Sequence, residues 1–175
     1  MSIKRALIDV QDRTGLVNFA TALVNNNVEI YAYEATAKYL KRNKIPVSQI
    51  PHDKNIAGVD PTEHISTEET SPYFIDLYVT NIPDIEEIIN KPGQSHKNIM
   101  DSIEIEAVCF IRLVAKQCEN MTPVISPSDY EKVITDLETG KLENKGTRIK
   151  YAQKAFGFVS KYDSIVSQYL FLNIS

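Results

Sequence analysis

Arg5 to Tyr33 reads RALIDVQDRTGLVNFATALVNNNVEIYAY, and this stretch decides the fold. RALIDV, Arg5 to Val10, is a short apolar run closed by a turn, the pattern of a buried strand. Gln11 to Gly15 is the turn, with Asp12 or Thr14 placed to cap a helix through a side-chain oxygen. Leu16, Val17, Phe19, Ala20, Leu23 and Val24 then recur at helical spacing until Asn25-Asn26-Asn27 ends the run. Val28 to Tyr33 is a second strand. Strand, helix and strand in so short a stretch form a crossover unit, which implies a parallel sheet.

The alternation continues outward. Ala35 to Lys44 is a short helix, Pro46 to Ile50 a third strand and Tyr73 to Thr80 a fourth. Asp84 to Asn90 is a short helix after Pro83, and Lys91-Pro92-Gly93 is a turn. Met121 to Ile125 is a fifth strand. Pro127-Ser128-Asp129 opens a helix through Leu137, and Gly140 to Gly146 is a polar link. Thr147 to Ile174 is a long amphipathic helix, with Gly157 as its expected break. The reading is an α/β fold: one domain over residues 1–175, three layers, with a mostly parallel sheet of about five strands and flanking helices. Pro51 to Pro72 has no periodicity, and a loop of that length is expected to be a mobile wall of the site.

Ile103 to Gln117, IEIEAVCFIRLVAKQ, is apolar almost all round after its acidic start, so it reads as a helix buried against the sheet. Glu104 and Glu106 suit the positive end of its dipole. Lys116 at the far end is, on these grounds, either a surface amine that reaches water, the commoner case, or a held catalytic group.

The totals bound the function. With 175 residues there is room for one full core, and 43% hydrophobic with 24% charged residues is ordinary for a globular protein. A net charge of −4 gives no basic footprint for nucleic acid. No apolar run reaches the roughly 18 residues that mark a membrane span. MSIKRALIDV lacks a signal-peptide pattern. Cys109 and Cys118 have no CxxC partner and read as reduced thiols, which fits a cytoplasmic protein. His52, His64 and His96 fall in polar, loop-like stretches without ligand spacing, so neither a metal nor a cofactor is expected. In parallel sheets ligands bind outside the carboxyl ends of the strands. That nominates Asp9 to Thr14, Tyr33 to Thr36, Asn81 to Asp84 and Ser126 to Asp129, none of which is a GxGxxG or a P-loop.

Four runs carry a resemblance: KAFGFVSKYDSIVSQYL at Lys154 to Leu170, RTGLVNFATALV at Arg13 to Val24, NKPG at Asn90 to Gly93 and SPSDYEKV at Ser126 to Val133. Together they resemble the IMP cyclohydrolase domains of the bifunctional purine-biosynthesis enzyme, which have the methylglyoxal-synthase-like fold. The resemblance covers Arg5 to Leu170, and the transformylase domain that follows in the family is absent from this sequence. It implies a ring closure in which an amide nitrogen attacks a formyl carbon and water is lost. That chemistry needs orientation, proton transfer and a held oxyanion. The resemblance also implies a small-molecule substrate, a homodimer and a phosphate resting on glycine-rich helix starts.

The departures from the family bear on the site. Its serine–aspartate–lysine–threonine turn reads Gln11-Asp12-Arg13-Thr14 here, and a serine two positions earlier reads Asp9. Its Ser-Gly-Gly-Thr reads Tyr33-Glu34-Ala35-Thr36, and its Asp-Ile-Gly-Gly reads Glu104-Ile105-Glu106-Ala107. A carboxylate within about 4 Å of a phosphate costs roughly 1 to 4 kcal/mol. The family's Arg-Val-Lys-Thr-Leu-His-Pro segment is missing, and its Asn-Leu-Tyr-Pro reads Asn81-Ile82-Pro83-Asp84. Its Ala-Lys-Asn reads Ala115-Lys116-Gln117, which favours a site role for Lys116.

The positions of the family's motifs, read with these departures, make Lys116 and Asn81, which are kept, and Glu104 and Glu106, which are added, the expected catalytic groups, and Asp9, Gln11, Arg13, Thr14, Tyr33, Glu34 and Thr36 the expected substrate-binding groups. Three functions stay open. The first is a repurposed cyclase, dehydratase or amide hydrolase acting on an uncharged or cationic, non-nucleotide substrate. The second is an inactive relative serving as a binding or assembly module, with the acids as drift in a solvated cleft. The third is IMP synthesis itself. The first is preferred because both glycine pairs have acquired a glutamate.

Overall fold

The computed structural model describes residues 3–50 and 75–173, so Pro51 to Pro72, expected as the mobile wall, lies outside the described residues. The strands are β1 (Arg5–Val10), β2 (Glu29–Ala32), β3 (Ser48–Gln49), β4 (Leu77–Asn81) and β5 (Thr122–Val124). The helices are α1 (Leu16–Asn25), α2 (Glu34–Arg42), α3 (Ile85–Asn90), α4 (His96–Asp101), α5 (Ile105–Lys116), α6 (Tyr130–Glu138) and α7 (Lys145–Leu172). The five strands form one parallel sheet in the order β3-β2-β1-β4-β5, as the alternating pattern implies.

β1 sits at the centre, with Ile8 opposite Ala32 on one side and Val79 on the other. Its residues alternate between two cores. Ala6, Ile8 and Val10 pack with Leu16, Phe19 and Leu23 of α1 and Val133 of α6. Leu7 packs on the other face with Ile111 and Val114 of α5 and Ala155 and Val159 of α7. Helices on both faces explain why β1 is a near-continuous apolar run instead of an alternating one. Phe19 of α1 stacks on Tyr130 of α6 with ring centroids 4.3 Å apart.

Several local expectations are corrected. Neither Asp12 nor Thr14 caps α1: the cap position is Gly15, at φ 70°, without a side-chain hydrogen bond. Asp12 Oδ1 instead accepts from Thr14 N at 2.9 Å, closing an Asx turn one residue too early to serve the helix. β3 covers two residues, Ser48 and Gln49, of the five expected, and among the described strands it pairs with β2 alone. His96 is in helix α4, where Ser95 Oγ caps by accepting from Asn98 N at 3.1 Å. The link from Gly140 to Gly146 contains a 3₁₀ turn, Lys141–Glu143, that buries Leu142. α7 does not break at Gly157; contacts with α5 and β5 hold it as one helix. α5 is buried on one side only, through Val108, Ile111, Val114 and Ala115, while Ile105, Cys109 and Lys116 are exposed.

From β1 the chain moves through β2 to β3 on one side, then returns to place β4 on the other. The connections therefore diverge between β1 and β4. That is the topological switch point of an open parallel sheet, where a crevice forms.

Candidate functional site

At the switch point Asn81, at the end of β4, binds the loop that leaves β1. Its Oδ1 accepts from Gln11 N at 2.9 Å and Asp12 N at 2.8 Å, and its Nδ2 donates to Asp12 O at 2.8 Å. A cleft of about 710 Å³ opens beside this clamp. Its walls are Gln11, Asp12 and the loops Asn81 to Pro83 and Ile125 to Pro127, which follow β1, β4 and β5. Its far side is α7, through Lys154, Gly157, Phe158 and Lys161. These four residues share one stripe of the helix, because positions three, four and seven apart lie on the same face.

The cations of this stripe are held differently. Lys154 Nζ donates to both oxygens of Asp129, at 2.6 and 2.7 Å, and that carboxylate is 12% exposed. Lys161 meets Glu86 at 3.5 Å, with side chains 68% and 54% exposed. A pair so open contributes about 0 to 1 kcal/mol. Asp12 adds a negative charge: side-chain and backbone hydrogen bonds from Thr14 hold its carboxyl below the ordinary value.

A second cluster adjoins the cleft through Gln11, whose Nε2 donates to Glu104 Oε1 at 2.9 Å. The backbone N–H of Glu104 donates in turn to the Tyr162 hydroxyl at 2.9 Å, tying the start of α5 to α7. Behind it lie Asp9, Tyr33 and Glu106. Burial, followed by the charges of Asp9 and Glu106, pushes the Tyr33 phenol up to about 12. Burial and Asp9 push Tyr78 up as well. Both phenols are neutral donors at physiological pH.

Of the residues expected at the site, the structure gathers Asp9, Gln11, Tyr33, Asn81, Glu104 and Glu106 around the ends of β1, β2 and β4. Thr36 is fully buried, its hydroxyl 3.5 Å from both Val10 N and Val10 O, and it supports β1 from below. Arg13 leans onto α2, donating to Ala35 O at 3.4 Å with its guanidinium 4.7 Å from the centroid of the Tyr39 ring. Thr14 holds the Asx turn, and Glu34 pairs with Lys38 along the exposed side of α2. Lys116 is not brought to the group. It ends α5, about 18 Å of helix from Glu104, and the chain then turns into Thr122, whose N–H bonds Asp76 O beside the start of β1. Lys116 therefore stands at the amino ends of the strands. It is exposed.

Sequence reasoning nominated the Ser126 to Asp129 loop but missed Lys154, Gly157, Phe158 and Lys161. Their i, i+3, i+4, i+7 spacing was legible in the sequence; which face of the long helix would meet the strand ends was not.

Residues 15–112 match the family model described as MGS-like domain, and residues 114–173 match the one described as AICARFT/IMPCHase bienzyme. The chain is 30% identical over 188 residues to the bifunctional purine biosynthesis protein PurH of Enterococcus faecalis, covering 95% of this chain and 37% of that protein. It is 31% identical over 191 residues to the PurH of Listeria welshimeri, covering 96% of this chain and 37% of that protein. The chain thus spans little more than a third of the length of these relatives. A solved structure titled "Crystal structure of ForH" shares the fold, with a TM-score of 0.71, 22% identity and coverage of 98% of this chain and 99% of that one.

Proposed function

The chain belongs to the family of MGS-like domains, and from that premise we propose that it binds a small molecule lacking a phosphate group at the switch-point cleft. It acts there as a divergent cyclohydrolase, closing or opening a ring by loss or addition of water, in a cytoplasmic setting. One observation carries the reading: Asp9 stands at the carboxyl end of β1 and Glu106 in the first turn of α5, and the charges of both add to burial in raising the Tyr33 phenol. Two carboxylates at the ends of β1 and at the start of α5 oppose an anion where the family resemblance implies a phosphate. An uncharged or cationic substrate meets no such opposition.

The chemistry available suits an amide. Tyr33 is a neutral hydrogen-bond donor toward a carbonyl that gains negative charge, a contribution that strengthens as charge develops. Glu104, oriented by Gln11, is the carboxylate placed to take a proton from an attacking nitrogen or water. A second reading, a binding module without turnover, is favoured by one specific finding. Asn81, Thr36 and Arg13 are committed to holding the fold, and Lys116 lies at the opposite end of α5.

Isothermal calorimetry with IMP and its formamido precursor tests the proposal. The expected result is no measurable heat at micromolar protein. Micromolar binding of either nucleotide overturns the phosphate-free reading and restores purine chemistry. Turnover of a ring-forming amide by the wild type, lost in Glu104→Gln, separates the enzyme from the binding module.

A further inference from the structure

Among the described residues nothing requires a glycine at position 157. It sits inside the 28-residue helix α7 at an ordinary helical φ, where glycine is less favourable than alanine. Close packing among the described residues does not require it either: a Cβ built there meets none of their heavy atoms within 4 Å, the nearby backbone of its own helix aside. The space it leaves open is the cleft, which Gly157 lines. The missing side chain exposes a patch of bare helix between Lys154 and Lys161, whose Cα atoms lie two turns and about 10 Å apart. Phe158 flanks the patch, and Ile82, Pro83 and Ile125 face it across the cleft. A flat floor bordered by an aromatic ring and apolar walls fits a planar ring better than a branched or extended chain.

The charges narrow the choice further. Lys154 is saturated by both oxygens of a nearly buried carboxylate, so it enters the cleft as half of a neutral pair. Lys161 is held only at 3.5 Å by an exposed glutamate, which an incoming anion can replace at little cost. Asp12, at the opposite wall, disfavours any second negative charge. The cleft can therefore accept one anionic group, and only at the Lys161 end.

We propose that the α7 side of the cleft is a subsite for a planar aromatic or heteroaromatic monocarboxylate, its ring lying on the bare backbone at Gly157 beside Phe158 and its carboxylate paired with Lys161. This rests on the phosphate-free reading above and narrows it: the part of the substrate that faces Asp9 and Glu106 is uncharged or cationic, and its one negative charge lies on the α7 side of the cleft, at Lys161. Tyr33, Asp9 and Glu106 are not among the residues that line the cleft, whereas Lys161 is, so the carboxylate is placed on the α7 side.

The test uses indole-3-carboxylate and indole-3-carboxamide as probes, titrated by calorimetry or by protein NMR shifts. Wild type is expected to bind the carboxylate at least tenfold more tightly than the amide. Lys161→Met should erase that preference while leaving amide binding in place. Gly157→Leu should abolish binding of both probes with a melting temperature at or above wild type, because a better helix former replaces glycine and its side chain fills the floor. Equal affinity of wild type for the two probes, an unchanged preference in Lys161→Met, or undiminished binding to folded Gly157→Leu each overturns the subsite. IMP binding at micromolar concentration overturns the phosphate-free reading instead, so the two failures are distinguishable.

Discussion

Removing the Asn81 side chain should weaken the fold and open the cleft together. Asn81 is 7% exposed, and its side chain makes three bonds to the loop leaving β1: two accepted, from Gln11 N and Asp12 N, and one donated, to Asp12 O, at 2.8 to 2.9 Å. Each contributes about 1 kcal/mol net, so the full loss is about 3 kcal/mol. The freed groups border the cleft, where water can replace some of the bonds, which lowers the expected cost of Asn81→Ala to about 2 kcal/mol. Asn81→Asp keeps the two accepted bonds but sets a carboxylate against the Asp12 carbonyl and beside the Asp12 side chain. It should cost about 1 kcal/mol, less than the alanine variant. Urea unfolding followed by far-ultraviolet circular dichroism reads these differences as shifts of midpoint at constant slope. If Asn81→Ala unfolds within about 0.5 kcal/mol of wild type, the clamp contributes nothing and the argument fails. If it keeps full stability yet loses turnover, Asn81 acts on substrate, as the family resemblance implies.

Arg148 is buried in α7 and donates to the carbonyls of Cys118, Glu119, Leu142 and Glu143, so Arg148→Met should cost about 3 kcal/mol in the same assay, with Arg148→Lys only partly restoring it. Burial pushes the Asp136 carboxyl up, but hydrogen bonds from Lys132 and Tyr151 and the Lys132 charge outweigh it, and the net shift is below the ordinary value of 3.8. A lowered folded value means that stability is present above 3.8 and is lost as pH falls through the folded value. Wild type should therefore lose stability more steeply below about pH 4 than Asp136→Asn, and parallel curves in urea titrations across that range would contradict this. We also propose a homodimer: Phe156, Leu170, Phe171 and Leu172 of α7 are exposed, whereas Val159 and Tyr162 of the same helix are buried in the core. Light scattering at tens of micromolar should give twice the chain mass, and a monomer mass would rule it out.

The sheet was legible because its central strands β1 and β4 are short, largely apolar runs and the crossover helices keep a clean period, as with Leu16, Phe19, Ala20 and Leu23. The loops around the cleft were legible for a topological reason, since the ends of β1, β4 and β5 must meet where the connections diverge. Individual side chains were harder to place. α4 was missed because SHKNIMD has only Ile99 and Met100 as apolar positions, and its one strong cue was the Ser95 cap. Thr36 and Asn81 match the types expected in a polar site, yet both satisfy backbone groups of β1 and its loop. A sequence cannot distinguish an amide that binds substrate from one that binds its own chain. Lys116 shows a related limit: Glu104 and Lys116 are close in sequence, but a helix run keeps its two ends apart.

The electrostatic case against a phosphate rests on competition for helix ends. Phosphate sites use uncompensated backbone N–H groups at the positive end of a helix. In this chain the first turn of α2 carries Glu34, and the first turn of α5 carries Glu106. Each acid already interacts favourably with the dipole it stands on. Glu34 is further tied to Lys38, and Glu104 to Gln11, so neither helix start offers unanswered positive charge. On α7 the same economy holds, with Lys154 answered by Asp129 and Lys161 by Glu86. Only the last of these pairs is loose enough to open for a ligand. A single-charge replacement therefore has a physical consequence: Glu86→Gln should leave Lys161 unanswered and strengthen binding of a monocarboxylate, whereas Asp129→Asn should destabilise the fold around Lys154 before it alters the ligand. If Glu86→Gln instead left carboxylate affinity unchanged while calorimetry still detected binding, the anion would not be meeting Lys161.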